Sequence, residues 1–289
     1  MDSFIEKEKR AQVLVQALPY IQKYWNRVVV IKYGGHAMMN EELKRQVMED
    51  IVLLQLVGVK VVLVHGGGPE INDTLSRMGI ESEFVNGLRV TGREAIDVVQ
   101  MVLAGKVGKS LVNLIGTTGG KAMGICGIDG RLVEARSKNP QLGYVGEVTA
   151  VNVGPINDLL EKGYIPVVSS VACDGEGNVY NINADSMAAH ISGAMGAECL
   201  ISMTDVPGIM EDPDDISTLV HVADINDAVE LFRRGVIKGG MIPKVESCIE
   251  ALLCGVKKVF ILDGRVPHSI LLEMLTDEGS GTMMLGEKQ

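Results

Sequence analysis

From Arg27 onward the chain repeats one pattern: an unbroken apolar run, a glycine turn, then apolar positions three and four apart. RVVVIKYGG reads as a strand buried on both faces and ending at Gly34-Gly35. Asn40 follows as the N-cap of a helix that carries Leu43, Val47, Ile51 and Leu54 on one face. VKVVLVHGGGP repeats the motif, ending at Gly66-Gly67-Gly68 with Pro69 at a helix start. Thr91 and Glu94 have the spacing of a capping box that opens a long helix through about Leu114. A glycine-rich stretch with short strands, Ala122 to Val151, comes next, and IPVVSSVAC, ECLISMTD and KKVFILDG complete the apolar strands. Continuously apolar strands alternating with amphipathic helices predict an α/β fold whose mainly parallel sheet is covered on both faces. Ligands in such sheets gather at the carboxyl ends of the strands, and the glycine pair and glycine triplet both fall there.

The first 25 residues read differently. Phe4, Ala11 and Leu18 recur every seven positions, as do Leu14 and Ile21, which makes one helical stripe. Pro19 lies inside the stripe and predicts a kink, because it lacks an N–H and clashes with the preceding turn. Such a helix either packs on its own domain or interlocks with a second subunit.

Composition narrows the classes. At 289 residues the chain fits one large α/β domain or two tightly joined lobes. Lys and Arg number 27 against 37 Asp and Glu, a formal charge of −10, which argues against a general nucleic-acid binder. A locally basic site for a small anion remains compatible with that charge. The five cysteines have no CxxC spacing, so buried thiols in a reducing compartment fit better than a disulfide or zinc framework. The N-terminus MDSFIEKEKR lacks an apolar signal core. Ile51 to Val64, taken as the longest apolar stretch, is interrupted by Gln55 and Lys60 and is too short for a membrane span. The expectation is a soluble, cytoplasmic protein that engages neither membrane nor nucleic acid.

Two nucleotide signatures fail on spacing. Gly105-Lys-Val-Gly108-Lys109-Ser110 ends like a P-loop, but its glycines are three apart rather than five, and it reads as helix surface. Gly66-Gly67-Gly68-x-x-Ile71 lacks the third glycine of a dinucleotide fingerprint. What remains is two glycine turns whose backbone amides can cradle anionic oxygens, reinforced by helix N-termini. Lys32 sits two residues before the first pair, in an apolar strand where an ammonium is costly unless it meets an anion. Lys244 follows another pair, Gly239-Gly240. Two lysines and two amide cradles suit phosphoryl transfer, in which a protein mainly positions reactants and neutralises charge. His65, ahead of the triplet, reads as a packed strand-end residue rather than a catalyst.

VIKYGG, VHGGGPEI, NGLRVT, YNINAD, TDVPG and GGMIPKV, in this order, resemble the amino-acid kinase family, most closely its branch that phosphorylates N-acetyl-L-glutamate in arginine biosynthesis. The resemblance covers nearly all of the chain from about Arg27. It implies a three-layer αβα sandwich with two lobes: residues 26–195 for the acyl amino acid and 196–289 for ATP, after an oligomerisation and regulatory helix over 1–25. It implies that Lys32 contacts the phosphoryl group in flight, that Lys244 approaches from the nucleotide side, and that Asp185 orients both. Gly34, Gly35, Gly66 and Gly67 would offer amides to phosphate oxygens. Gly67 and Gly68 would border the substrate, with Arg89 on its α-carboxylate and Asn181 on its acetamido group. Thr204, Asp205, Gly208, Gly240 and Met241 would line the nucleotide. ATP would bring Mg²⁺ on its phosphates, with no metal held by protein side chains alone. The attacking carboxylate, with a reference pKa of about 4.3, is ionised at neutral pH and needs no general base.

The N-terminal helix with LPYIQKY, and the late segment DEGSGT, resemble the arginine-inhibited members of that branch, which are hexamers built as trimers of dimers. Arginine is then expected near Tyr20, His268, Glu278, Gly279, Gly281 and Thr282, with Glu278 facing its guanidinium.

Overall fold

A computed structural model describes residues 11–38, 40–85 and 87–286. Phe4 of the N-terminal stripe and Asn86 of NGLRVT lie outside the described residues. Residues 11–16 are helical, a turn falls at 17, and α1 (Leu18–Tyr24) continues the path. The break sits just ahead of Pro19, where the missing N–H interrupts the helical ladder. The stripe is not sealed within the chain, since Val13, Leu14, Val15 and Leu18 are all exposed.

The remainder runs β1 (Val28–Tyr33), α2 (Glu41–Leu56), β2 (Lys60–His65), α3 (Gly68–Arg77), β3 (Phe84–Val85), β4 (Leu88–Arg89) and α4 (Arg93–Gln100). A π-helical segment (Met101–Val107) joins α4 to α5 (Gly108–Thr117), followed by β5 (Ala122–Cys126), β6 (Val133–Ser137), β7 (Val145–Val151) and α6 (Gly154–Glu161). Then come β8 (Ile165–Ser169), β9 (Val171–Cys173), β10 (Val179–Ile182), α7 (Ala184–Ala194), β11 (Cys199–Thr204), β12 (Val222–Asp224) and α8 (Ile225–Arg233). The chain closes with α9 (Met241–Leu253), β13 (Lys258–Asp263), α10 (Ser269–Leu275) and β14 (Thr282–Leu285).

Eight strands form the central sheet in the order β12-β14-β13-β11-β1-β2-β8-β5. From β13 across to β5 all pairings are parallel, while β14 runs antiparallel to β13. Four strands from before residue 195 fill one half and four from after it fill the other, so the strand order switches where β1 meets β11. Strands β6, β7, β9 and β10 close a small barrel beside the sheet, and β3 with β4 makes a hairpin.

Side-chain alternation along β1 and β2 builds two cores. Val29, Ile31, Val61 and Leu63 pack into one layer with residues of α2, α4 and α5. Val30, Val62 and Val64 pack into the other with residues of α7 and α9. Because successive side chains point to opposite faces, Lys32 shares the α7 side with Val30, and His65 shares the α5 side with Leu63. Chemistry and support are thereby assigned to opposite faces before any loop is considered.

Two sequence expectations fail here. The capping box at Thr91 does not form: the N-cap is Gly92, with no side-chain cap bond. Thr91 is fully buried, its hydroxyl donates to the Arg89 carbonyl, and it accepts from Asn181, so tertiary partners have taken the cap's oxygen. Nor is Ile51 to Val64 the segment to test for a membrane span: the continuous helix Arg93–Thr117 is 25 residues long and apolar enough to qualify by length and composition. Its apolar side, with Ile96, Val99, Leu103, Leu111 and Ile115, lies in the core, while Arg93, Glu94, Asp97 and Lys109 face outward. It therefore behaves as a core helix. Within it, the P-loop lookalike is helical, although Gly108 is buried rather than on the surface.

Asn40 caps α2, its Oδ1 accepting from the Glu42 and Leu43 amides at 3.0 Å each. Asn40→Ala is expected to lower stability by about 1 kcal/mol, read as a lower urea midpoint at unchanged slope; an unmoved midpoint would contradict the capping role.

Candidate active site

Lys32 closes β1 with its ammonium on the α7 side. Asn183 caps α7 by accepting from the Asp185 and Ser186 amides at 2.8 and 3.2 Å, which leaves the Asp185 carboxylate for other work. It pairs with the Lys32 ammonium at 3.0 Å and accepts from the Ser202 hydroxyl at 3.3 Å. Ser202 stands beside Lys32 in the β1–β11 register. Lys32, Asn183 and Asp185 border a cavity of about 400 Å³ that is also lined by Gly34, Gly35, Gly66, Gly67, Gly68, Arg89 and Asn181. Most residues expected around the acyl amino acid and the phosphoryl group therefore share one space.

Arg89 is buried, and that burial pulls its guanidinium below the ordinary arginine range. Its fork donates to the Ser82 hydroxyl and to the Gly68 carbonyl, the latter at 3.3 Å, and lies 4.7 Å from the Phe84 ring centroid. Asn181 donates to Thr91 Oγ1 at 3.3 Å. Gly67 requires its missing side chain: a Cβ there would come within 2.8 Å of Leu103 Cδ2 and 3.1 Å of Val107 Cγ2. Gly66 departs from expectation, because its N–H donates to the Tyr33 carbonyl at 3.3 Å. That bond extends the β1–β2 ladder, so Gly66 lines the cavity with its amide already used.

A second cavity, of about 380 Å³, is lined by Asp205, Gly208, Gly240, Met241 and Lys244, together with Val206, Pro213, Val236 and Lys238. Lys244 departs from its expected partner: its ammonium pairs with Asp205 at 2.5 Å, whereas Asp185 pairs with Lys32. The reason is position, since Asp205 follows β11 directly and Lys244 lies in the first turn of α9 above it. Thr204 does not line this cavity; it is buried, with its hydroxyl donating to Asp205 Oδ1 at 3.2 Å. The two lysines thus stand over two cavities that open at the ends of adjacent strands, β1 and β11.

Tyr20, His268 and Glu278 line a third cavity, of about 790 Å³, between the N-terminal helix and α10. Tyr20 donates to Asp277, and His268 Nδ1 lies 2.6 Å from buried Asp50. Gly281 and Thr282 are not brought to it: both are buried at the start of β14, where the Thr282 hydroxyl accepts from the Ile209 amide at 2.9 Å. Gly279 is exposed in the preceding turn and lies outside the lining.

Sequence reading missed Ser202, Phe84, Asn183, Pro213, Val236 and Lys238. Ser202 was discoverable by the argument used for Lys32, since it too is a polar residue in an apolar strand. Asn183 lies inside YNINAD and reads as a cap once the helix start is set at Ala184. The others are assembled by loop folding and leave no spacing signal. Among the described residues no group of three or more His, Cys, Asp or Glu could hold a metal ion; a divalent ion arriving on nucleotide phosphates requires no such cage.

Chemically, the first cavity offers a paired ammonium, glycine backbone and a buried guanidinium to an anion, and the second offers an apolar wall with two lysines, Lys238 and Lys244, and Asp205. Residues 27–263 match the amino acid kinase family. The chain is 54% identical over 279 residues to "Acetylglutamate kinase" of Clostridium beijerinckii, covering 96% of this chain and 98% of that one. It is 54% identical over 280 residues to the protein of the same description from Nostoc sp., covering 96% and 94%. Among solved structures, N-acetylglutamate synthase from Neisseria gonorrhoeae, complexed with coenzyme A and N-acetyl-glutamate, superposes with a TM-score of 0.83 at 23% identity. That match covers 96% of this chain and 64% of the synthase. Carbamate kinase from Giardia lamblia bound to AMP-PNP gives 0.66 at 15% identity, covering 91% and 99%. The last two likenesses establish the fold.

Burial raises the Asp50 carboxyl to about 6, with His268 opposing the shift. An acid with a folded pKa above its unfolded value, about 3.9, contributes stability at low pH that is lost as pH rises through the folded value. Relative to Asp50→Asn, the wild type is expected to lose stability from pH about 4 to about 6, measured by urea denaturation across that window; parallel curves would refute it.

Proposed function

As the chain belongs to the amino acid kinase family, among its acetylglutamate kinases, we propose that it transfers the γ-phosphoryl group of ATP to the side-chain carboxylate of N-acetyl-L-glutamate. The products are N-acetylglutamyl 5-phosphate and ADP, formed in arginine biosynthesis. The observation that carries this reading is the Lys32–Asp185 pair at the strand-order switch, facing a cavity bordered by two glycine turns and by buried Arg89.

The half-sheet before residue 195 serves as the acyl-amino-acid lobe, and the half after it as the ATP lobe. Arg89 offers a planar fork suited to the substrate's α-carboxylate. Asn181 offers an amide that donates and accepts at once. The ionised side-chain carboxylate attacks the γ-phosphorus in line, a new P–O bond forms, and the bond to the β-phosphate oxygen breaks. Lys32 and the amides of Gly34, Gly35 and Gly67 take up charge on the equatorial oxygens. Asp185 holds the Lys32 ammonium in position through their ion pair. Lys244 acts from the nucleotide side, exchanging Asp205 for phosphate oxygens. The nucleotide phosphates would carry Mg²⁺, which would supply further charge neutralisation beside Lys32 and Lys244.

The third cavity is read as the arginine site, with Glu278 facing the guanidinium and Tyr20 and His268 on its walls. Inhibition then requires that arginine favour one of two lobe arrangements. The exposed apolar residues Val13, Leu14, Val15 and Leu18 support a homo-oligomer, read as a hexamer built as a trimer of dimers, in which this helix meets a second subunit.

ADP release measured separately with N-acetyl-L-glutamate, glutamate, aspartate and carbamate is expected to respond to the first alone; a different preferred acceptor would overturn the substrate assignment. Lys32→Ala is expected to lower kcat by roughly two orders of magnitude or more, and Arg89→Ala mainly to raise KM for the acyl amino acid, with the reverse split contradicting these roles. Arginine is expected to inhibit the full chain and not a variant lacking residues 1–25; equal response of the two would remove the control site.

A further inference from the structure

The phosphotransfer reading leaves one buried titratable side chain beside the glycine triplet without a task. His65 is fully buried on the α5 face of the sheet and does not line the first cavity, so it cannot exchange protons with a substrate there. Both of its ring nitrogens are nevertheless engaged. Nδ1 lies 2.8 Å from the Gly66 carbonyl oxygen. Nε2 lies 3.0 Å from the hydroxyl of Ser169, its registered neighbour on β8. A carbonyl only accepts, so Nδ1 carries the proton of the neutral ring, and Nε2 is left to accept from Ser169. The single Ser169 proton is shared, since the hydroxyl also donates toward the Leu103 carbonyl in the π-helical segment at 3.2 Å. Burial lowers the ring's pKa to about 4, which keeps it neutral in this arrangement at physiological pH.

The Gly66 carbonyl and the Gly67 N–H belong to the same peptide plane. In a trans peptide these two groups point in opposite directions. A ring that holds the carbonyl toward the sheet interior therefore turns the following N–H away from it, toward the cavity that Gly67 lines. We propose that His65 is a positioning residue for phosphoryl transfer: its Nδ1–H fixes the Gly66–Gly67 peptide so that the Gly67 amide faces the migrating group.

The surrounding packing agrees with this task. A Cβ at Gly108 would come within 3.2 Å of Nε2 and 3.1 Å of the Ser169 hydroxyl, so the helix crosses directly over the ring. Leu103 and Val107 of the same helix occupy the space that a side chain at Gly67 would need. The peptide is thus held by a hydrogen bond at its oxygen, with the helix packed close to the next residue.

The inference rests on the phosphotransfer reading, and its test separates the two. His65→Asn keeps a side-chain N–H near the Nδ1 position, whereas His65→Gln places its amide near Nε2 and surrenders the contact with Gly66. Steady-state kinetics with ATP and N-acetyl-L-glutamate, alongside melting temperatures, compare the pair. The Asn variant is expected within roughly threefold of wild-type kcat, and the Gln variant lower by about tenfold or more, since a misdirected amide loses part of what a deleted oxyanion donor loses. KM for the acyl amino acid should change little in either. Equal kcat in the two variants, or kcat that follows melting temperature, overturns the proposal. Should neither fold, Gly108→Ala presses a methyl group on the ring from the helix and is expected to lower kcat at constant KM; unchanged kcat there is equally fatal. A wild type that releases no ADP with N-acetyl-L-glutamate would instead sink the phosphotransfer reading itself.

Discussion

An ammonium group in a β-strand that is otherwise apolar must find a carboxylate, and most of the site follows from how Lys32 finds one. Its nearest sequence neighbours are Ile31 and Tyr33, both fully buried. Unpaired, the largely buried charge would cost several kcal/mol, a large share of an ordinary fold's stability. Strand alternation sends it to the face where α7 begins, and α7 can present Asp185 only because Asn183 takes over the capping of that helix. Ser202, adjacent on β11, supplies a further hydrogen bond to the same carboxylate. One ion pair therefore ties β1, β11 and α7 together at the point where the strand order switches. An anion entering there meets a cation already held in place, without the entropy cost of freezing a free lysine.

The opposite face of the same strands is organised for rigidity. Leu63, Val167 and the side of the long helix that carries Leu103 and Leu111 pack as one core beneath the glycine triplet. Glycine backbone is compliant by nature, so a turn that must present amides in one orientation needs a stiff bed. The π-helical segment shifts the helix so that Leu103 and Val107 reach Gly67, and Gly108 lets the helix pass over His65. Amide direction is thereby determined from below, and charge from above.

Features that depend on a few consecutive residues were legible in the sequence. The apolar runs gave the sheet strands, Asn40 announced its helix, the proline marked the N-terminal break, and the glycine turns marked the ligand edge. Features settled between distant segments were not. Thr91 has the spacing of a capping box, yet Asn181 and the Arg89 carbonyl claim its hydroxyl. Gly66 has the look of a phosphate ligand, yet its amide completes a ladder with Tyr33. The antiparallel return of β14 and the burial of Gly281 and Thr282 likewise depend on which strand lies alongside, and single-chain periodicity says nothing about that. At Thr91 and Gly66 the expectation assigned a polar group to a local role for which a spatial neighbour competed.

The same competition explains why the two lysines, similar in sequence context, occupy different electrostatic positions. Lys32 reaches its carboxylate from a strand, and its backbone is held on both sides by parallel neighbours. Lys244 reaches Asp205 from the first turn of α9, a helix that begins after a glycine pair and carries no side-chain cap. The two neighbouring strands fix the Lys32 backbone, and the pair with Asp185 holds its ammonium. A lysine in the first turn of a helix, lining the second cavity, can pass from Asp205 to an anion there by a side-chain rotation. In a phosphoryl transfer the acceptor side must be settled before reaction, whereas the donor side must admit one nucleotide and release another. Placing the immobile cation over the first cavity and the exchangeable one over the second matches that division of labour.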